Sequence, residues 1–266
     1  MTLSKDALRS WCDNHEIPLL GIADAGRWHD PAIIPDIPLP FRPDSIFSGT
    51  QSVIVIGLPV HLPSLESSPS VQYSELYRTI NTLLDQYTYR IAERLNQEGH
   101  PSIAIPRDGY GGIQALLKNP VTFFSHRHAA HRAGLGTFGL NNMLLTPAYG
   151  PRARFGSVLT TLAIEPDPLP GDQLCTRCME CVEQCPVRAV NSAGYPEGKT
   201  NSIACAKYSA ALAKKQISPC GICIKVCPIG RDRAFYDRED VSIYRKDAPD
   251  TPLKRSWEHV RSYGSL

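Results

Sequence analysis

The 266-residue chain has no stretch of ~18 or more uncharged apolar residues, so no ordinary membrane-spanning helix is expected. Its opening, MTLSKDALRSWCDNHEIPLL, lacks a basic segment leading into an apolar run with a small-residue cleavage site. The reading is therefore a cytoplasmic protein without membrane attachment. No excess of either charge is present: 28 Lys and Arg stand against 26 Asp and Glu, and a net +2 is too even to argue for a polyanion. Nucleic acid is accordingly an unlikely partner on charge alone. Repeats of roughly 20 to 50 residues and low-complexity tracts are also missing, which removes solenoids and disordered arrays. What remains is a globular chain with 42% hydrophobic residues, enough to bury a full core.

Cysteine is abundant, and it is concentrated. Eight of the nine cysteines lie between Cys175 and Cys227. In a chain expected in a reducing compartment, such a cluster points to metal or cluster ligation before disulfides. CTRCMECVEQCP sets Cys175, Cys178, Cys181 and Cys185 as C-x2-C-x2-C-x3-C-P, a ferredoxin-type run in which three thiolates hold one cubane and the fourth reaches a second. Cys205 and CGICIKVCP, with Cys220, Cys223 and Cys227, supply the other half. By that cross-ligation logic, Cys175, Cys178, Cys181 and Cys227 hold one 4Fe-4S cluster and Cys185, Cys205, Cys220 and Cys223 the other. Paired S4 zinc sites are the alternative, but zinc does not call for the Cys-Pro endings. Cys12 reads as a buried thiol on an amphipathic helix.

The periodicity predicts an α/β (α+β) fold. Residues 4–15 read as a helix, LLGIAD as a strand, and HDPAIIPDIPLPFRPDS as an irregular surface crossing. SVIVIGLPV is an unbroken apolar run suited to a strand covered on both faces. Leu76, Ile80, Leu84, Tyr87, Ile91 and Leu95 keep a helical period, ended by Gly99 and Pro101 before SIAIP, which makes an α/β crossover. NNMLLTP and ARFGSVLTTLAI read as a strand pair turned by AYGPR, and EPDPLPGDQ as a linker. The expected domains are 1–168, 169–238 with the cysteines, and a tail, 239–266, that docks back on the body.

HRAGLGTFGLNN contains Gly134, Gly136 and Gly139 in G-x-G-x-x-G spacing. A dinucleotide fingerprint needs a strand before the first glycine, a helix after, and an acid about 20 residues on. Here a helix precedes and a strand follows, so NAD is not expected. The glycines either let the backbone pass a flat, bulky group or make a helix-to-strand turn.

AAHRAGLGTFGLNNMLLTPAYGPRARFGSVLTTL, followed by the two cysteine motifs, resembles the epoxyqueuosine reductases and their wider relatives, the corrinoid reductive dehalogenases. The resemblance implies a nitroreductase-like domain that holds cobalamin, joined to a ferredoxin-like domain that carries two 4Fe-4S clusters. It also implies that Gly134, Leu135, Gly136, Phe138, Gly139, Asn141 and Asn142 run beside the corrin. Two features depart from the tRNA-modifying members: their proton-donating Asp would fall near Pro120, where NPVTFFSHRH has no acid, and only residues 229–266 stand in place of their tRNA-gripping extension.

The expected function is a cobalamin-dependent iron–sulfur oxidoreductase whose electrons, from an external flavodoxin- or ferredoxin-type donor, reach a corrinoid cobalt that reduces a small substrate or is itself the reduced product. The alternatives are a ferredoxin-like protein that reduces a partner's corrinoid and a shortened tRNA epoxyqueuosine reductase. Candidate proton sources are His128, His131 and Tyr110, with His126 nearby. His128 and His131 are helical neighbours, but the three histidines do not share one ligand face. Arg152 and Arg154 read as exposed hairpin charges, or as groups that reach cofactor amides or phosphate.

Overall fold

The computed structural model describes residues 4–109 and 111–263. The helices are α1 (Lys5–Asn14), α2 (Pro43–Ile46), α3 (Leu62–Glu66), α4 (Val71–Gln97), α5 (Ile113–Lys118), α6 (His126–Arg132), α7 (Glu180–Glu183), α8 (Ser202–Ala213), α9 (Ile222–Lys225) and α10 (Pro252–Ser262). The strands are β1 (Leu19–Asp24), β2 (Ser52–Pro59), β3 (Ser102–Ile105), β4 (Thr137–Phe138), β5 (Leu144–Leu145) and β6 (Ala153–Thr160).

Hydroxyl caps start the long helices where the sequence offers them. Ser4 Oγ accepts from Ala7 N–H at 3.2 Å and Ser70 Oγ from Tyr73 N–H at 3.2 Å, each satisfying an amide that the first turn leaves open. At the far end of α4, Gly99 takes φ +84, the left-handed region that lets the chain leave the helix toward β3.

The main sheet has the order β1-β2-β6-β3, and every neighbouring pair is antiparallel. Strands β2 and β3 therefore run the same way with β6 between them, and α4 makes the crossover. Both faces are covered. Ile54, Ile56 and Val158 pack with Leu8, Cys12, Leu84 and Leu95 under α1 and α4, whereas Val53, Val55, Phe155 and Leu159 pack with Ala129, Ala130 and Trp28 under α6 and the proline-rich crossing. The period-2 alternation of side chains thus feeds two cores, which is why β2 carries no polar stripe.

Two expectations need correction. NNMLLTP does not pair with β6: β5 pairs with β4, Phe138 opposite Leu144, and β6 goes to the main sheet. The turn of this small hairpin is closed by Gly139 N–H donating to Met143 O at 2.9 Å, with Asn142 at φ +57. The AYGPR segment does turn, with Gly150 at φ +54 and bridged to Thr146. Arg152 is not an exposed hairpin charge either; it is fully buried, because Asp232 from a distant segment comes in to pair with it.

The 165–173 segment is tied to the body. Asp167 accepts from Ile22 N–H at 2.9 Å and pairs with Lys5 at 2.8 Å and Arg9 at 3.0 Å. The tail docks as expected: Trp257 is buried and stacks on Tyr244 at 5.5 Å, while Tyr244 Oη donates to Glu66 at 2.7 Å. Among the described residues, no helix is long and apolar enough to cross a membrane.

Candidate functional site

Two short segments of the cysteine region are built alike. Met179 (φ +68) lies between Cys178 and Cys181 and precedes α7; Gly221 (φ +73) lies between Cys220 and Cys223 and precedes α9. At each, a left-handed residue turns the chain between two thiols that have two residues between them and fall in the same set. Cys185 and Cys227 then follow the two helices, each ahead of a proline that ends the turn. Leu140, Cys181, Val190 and Val226 form a small core between the halves.

The fold sorts the thiols into two sets that cross the chain order. Cys175, Cys178, Cys181 and the remote Cys227 line one cavity, closed on its other side by Gly139, Leu140 and Asn141. Burial pushes the Cys181 thiol up to about 12, and repulsion from Cys227, Cys178 and Cys175 adds to that. In the second set, burial pushes Cys205 up, with further repulsion from Cys185. It takes Cys220 to about 11, with Cys205 and Cys185 adding, and drives Cys223 far up among Cys220, Cys205 and Cys185. Cys181 and Cys223 pack in the same small core, so the two sets adjoin. Buried thiols that are protonated when bare ionise when a cation binds, because the metal supplies the missing counter-charge. Among the described residues, no group of three or more His, Cys, Asp or Glu side chains closes on a single-ion point. The donor set fits iron–sulfur centres: eight thiols, two groups, and amides of Ile222, Ile229 and Ala189 directed at Cys220, Cys227 and Cys185.

The glycine bend is close-packed against the protein itself. A Cβ at Gly134 would stand 2.2 Å from Pro168 O and one at Gly136 1.9 Å from Leu145 O. Helix α6 precedes the bend and β4 lies within it, the reverse of a dinucleotide loop. Its end faces the cysteines, and Asn141 Nδ2 donates to Cys223 O at 3.1 Å. Leu135 and Asn142 are half-buried, and Phe138 is buried under the Tyr195 ring at 4.8 Å.

The three histidines of α6 have separate fates. His126 is held by Ser157 Oγ at 2.9 Å and by Pro106 O at 3.0 Å, and burial keeps it neutral, at about 4. His131 is held through Nδ1 by Gly136 O at 2.9 Å. His128 Nε2 is 2.6 Å from Tyr195 Oη, a partner on the loop between Cys185 and Cys205. Burial lowers His128 to about 3 and raises the phenol, so the hydroxyl donates to a neutral imidazole. Tyr195 carries no sequence signal, since an aromatic in GYPEG reads as an ordinary turn residue. Tyr110 lies outside the described residues.

Other polar groups mark the wall between α4 and β6. The Arg154 guanidinium lies over the Tyr77 ring at 4.1 Å, yet among the described residues its buried Nε has no hydrogen-bond partner, and neither does Asn81 Oδ1 one turn along α4. Buried polar atoms left open in this way fit a bound organic group better than a closed core does. They are the observation that fits a cobalamin or substrate on this wall; at the bend, the Cβ directions of Gly134 and Gly136 are filled by protein.

The chain is similar to epoxyqueuosine reductases and to reductive dehalogenases. It is 31% identical over 137 residues to an epoxyqueuosine reductase of Listeria monocytogenes, covering 47% of this chain and 33% of that protein. It is 27% identical over 193 residues to a tetrachloroethene reductive dehalogenase of Desulfitobacterium hafniense, covering 66% of this chain and 32% of that protein. The chain therefore spans about a third of the length of these curated relatives. No protein-family profile matches. Its mixed α/β fold matches an epoxyqueuosine reductase solved with a tRNA-Tyr stem loop, with TM-score 0.56, 18% identity, and 98% of this chain and 77% of that one covered. It also matches a reductive dehalogenase described as B12-dependent, with TM-score 0.56, 18% identity, and 97% of this chain and 34% of that one covered.

Proposed function

We propose that this chain is a cobalamin-dependent iron–sulfur oxidoreductase, with a nitroreductase-like body (1–168) beside a ferredoxin-like unit (169–238) that holds two 4Fe-4S clusters. The observation that carries the reading is the crossed sorting of thiols, Cys227 into the cavity of Cys175, Cys178 and Cys181, and Cys185 toward Cys205, Cys220 and Cys223. Iron–sulfur clusters supply single electrons at low potential, and a reduced corrinoid cobalt supplies a strong nucleophile and reductant.

The chain's own residues have narrower tasks. Cys178, exposed, puts one edge of its set where an external donor of the flavodoxin or ferredoxin type can approach. Arg154 Nε and Asn81 Oδ1 offer a donor and an acceptor to an organic group on the α4 wall. The Tyr195 hydroxyl, donating to the neutral His128 Nε2, is the proton source in this reading, in place of the acid missing near Pro120. The substrate is a small molecule or the corrinoid itself.

A second reading, electron transfer to a partner's corrinoid, is favoured by one observation: the Gly134 and Gly136 sides of the bend are filled by protein. A shortened tRNA epoxyqueuosine reductase is the third; a solved relative holds a tRNA stem loop, so an RNA partner stays within the test.

Anaerobic protein reconstituted with iron, sulfide and cobalamin separates these. A five-coordinate Co(II) EPR signal that co-elutes with the chain, with about eight irons, is the expected result. Cobalamin in the flow-through with the irons retained supports the electron-transfer reading. Restoration of queuosine in a deficient strain supports the third, and zinc in place of iron overturns all of them.

A further inference from the structure

We propose that Arg233 is the counter-charge of the cluster held by Cys175, Cys178, Cys181 and Cys227, and that it raises that cluster's reduction potential so that an external donor reduces it first. The proposal rests on the cluster assignment made above.

Arg233 is 1% exposed. Its Nε donates to Cys227 O at 2.8 Å, its Nη1 to Arg238 O at 2.9 Å and its Nη2 to Lys225 O, and the guanidinium lies 5.7 Å from the Tyr244 ring centre. Every one of these acceptors is a carbonyl. Among the described residues, no carboxylate pairs with it; the nearby ones are already engaged, Glu66 with Arg238 at 2.8 Å and Asp232 with Arg152. Arg152 is the instructive contrast. It is equally buried and reaches the same Cys227 carbonyl at 3.4 Å, but Asp232 neutralises it. Lys225, 8% exposed, adds to the surplus, since it donates to Glu66 O at 3.3 Å and Ser68 O at 2.9 Å. Of Lys225, Arg233 and Arg238, only Arg238 pairs with a carboxylate among the described residues, that of Glu66.

A buried cation without an anion is strongly destabilising, and a guanidinium does not escape by losing its proton. Something negative is required beside Cys227. A cubane bound by four thiolates is a net anion, and Cys227 belongs to the set that would hold it. A fixed positive charge at short range favours the form with the extra electron, which raises the potential. Cys178 of this set is exposed and Cys175 partly so, the side from which a donor arrives.

Iron analysis and EPR-monitored redox titration of the whole chain, compared with Arg233→Gln and Arg233→Lys, decide the matter. In the Gln variant with its iron intact, the couple that is lost in Cys178→Ser should show about a tenfold higher oxidised-to-reduced ratio at fixed potential. For a one-electron couple that is a fall of 59 mV. The Lys variant should keep the native value. Two unmoved couples in the Gln variant, a shift on the other couple alone, or equal falls in Lys and Gln variants overturn the proposal and leave the clusters standing. If the Gln variant does not fold, the Lys variant decides alone: a native couple supports the charge, and a lowered one overturns it. A native chain that binds no iron overturns the cluster reading itself.

Discussion

A Cβ at Gly136 would lie 1.9 Å from the Leu145 oxygen and 2.8 Å from its carbonyl carbon, both backbone atoms of a hairpin that has no free direction to retreat. Gly136→Ala is expected to lower stability by about 1–3 kcal/mol or more, read as a lower urea midpoint with unchanged slope. His126 and His128 yield a pH prediction. Burial holds them at about 4 and about 3 in the folded chain, below 6.5 for a free imidazole. Below pH 6.5 the unfolded chain takes up protons that the native one refuses, so stability present at pH 7 is lost as pH falls toward 4. Denaturant midpoints measured across that window should fall with a slope of up to two protons. His128→Gln should remove about one of the two.

At the scale of elements, the tail is joined to the body by few but buried contacts. Trp257 lines a groove with Pro63, Glu66 and Gln72, Tyr244 Oη donates to Glu66, and Arg261 Nε donates to Ser67 O at 3.2 Å. Trp257→Ala is expected to weaken that docking by about 3–5 kcal/mol, seen as new protease cleavage between residues 246 and 251 while iron content is unchanged. Such local elements were readable from sequence to different degrees. The helical period of α4 and the apolar run of β2 are short-range signals, and each produced the element it implied. What stayed hidden depends on partners far along the chain. Arg152 is buried because Asp232 meets it from 80 residues away, and Glu66 is paired by Arg238 from 172. The β4–β5 hairpin was missed for a related reason. Its strands are two residues long, and β6, the more apolar partner, is claimed by the main sheet between β2 and β3. Tyr195 is invisible until its loop folds over α6 and reaches His128.

For the whole molecule, the crossed thiol sets make a prediction about metal content. Cys227→Ser should remove about half of the roughly eight irons, and the lost signal should be the one that Cys178→Ser also abolishes. Retention of that signal, with damage confined to the set of Cys220 and Cys223, would show the sorting to be misassigned. The same interleaving bears on how the protein is made. The first cavity draws its walls from Gly139–Asn141, from Cys175–Cys181 and from Cys227–Ile229. Synthesis is vectorial and folding follows it from the amino end. The α/β body has all its strands as soon as β6 leaves the ribosome, whereas the chamber lacks a wall until the last of these stretches emerges. On the proposed cluster assignment, scaffold proteins that deliver iron and sulfide must therefore meet a chain already extended past Cys227 to fill both centres, and a nascent chain arrested before Cys223 should mature with neither centre complete.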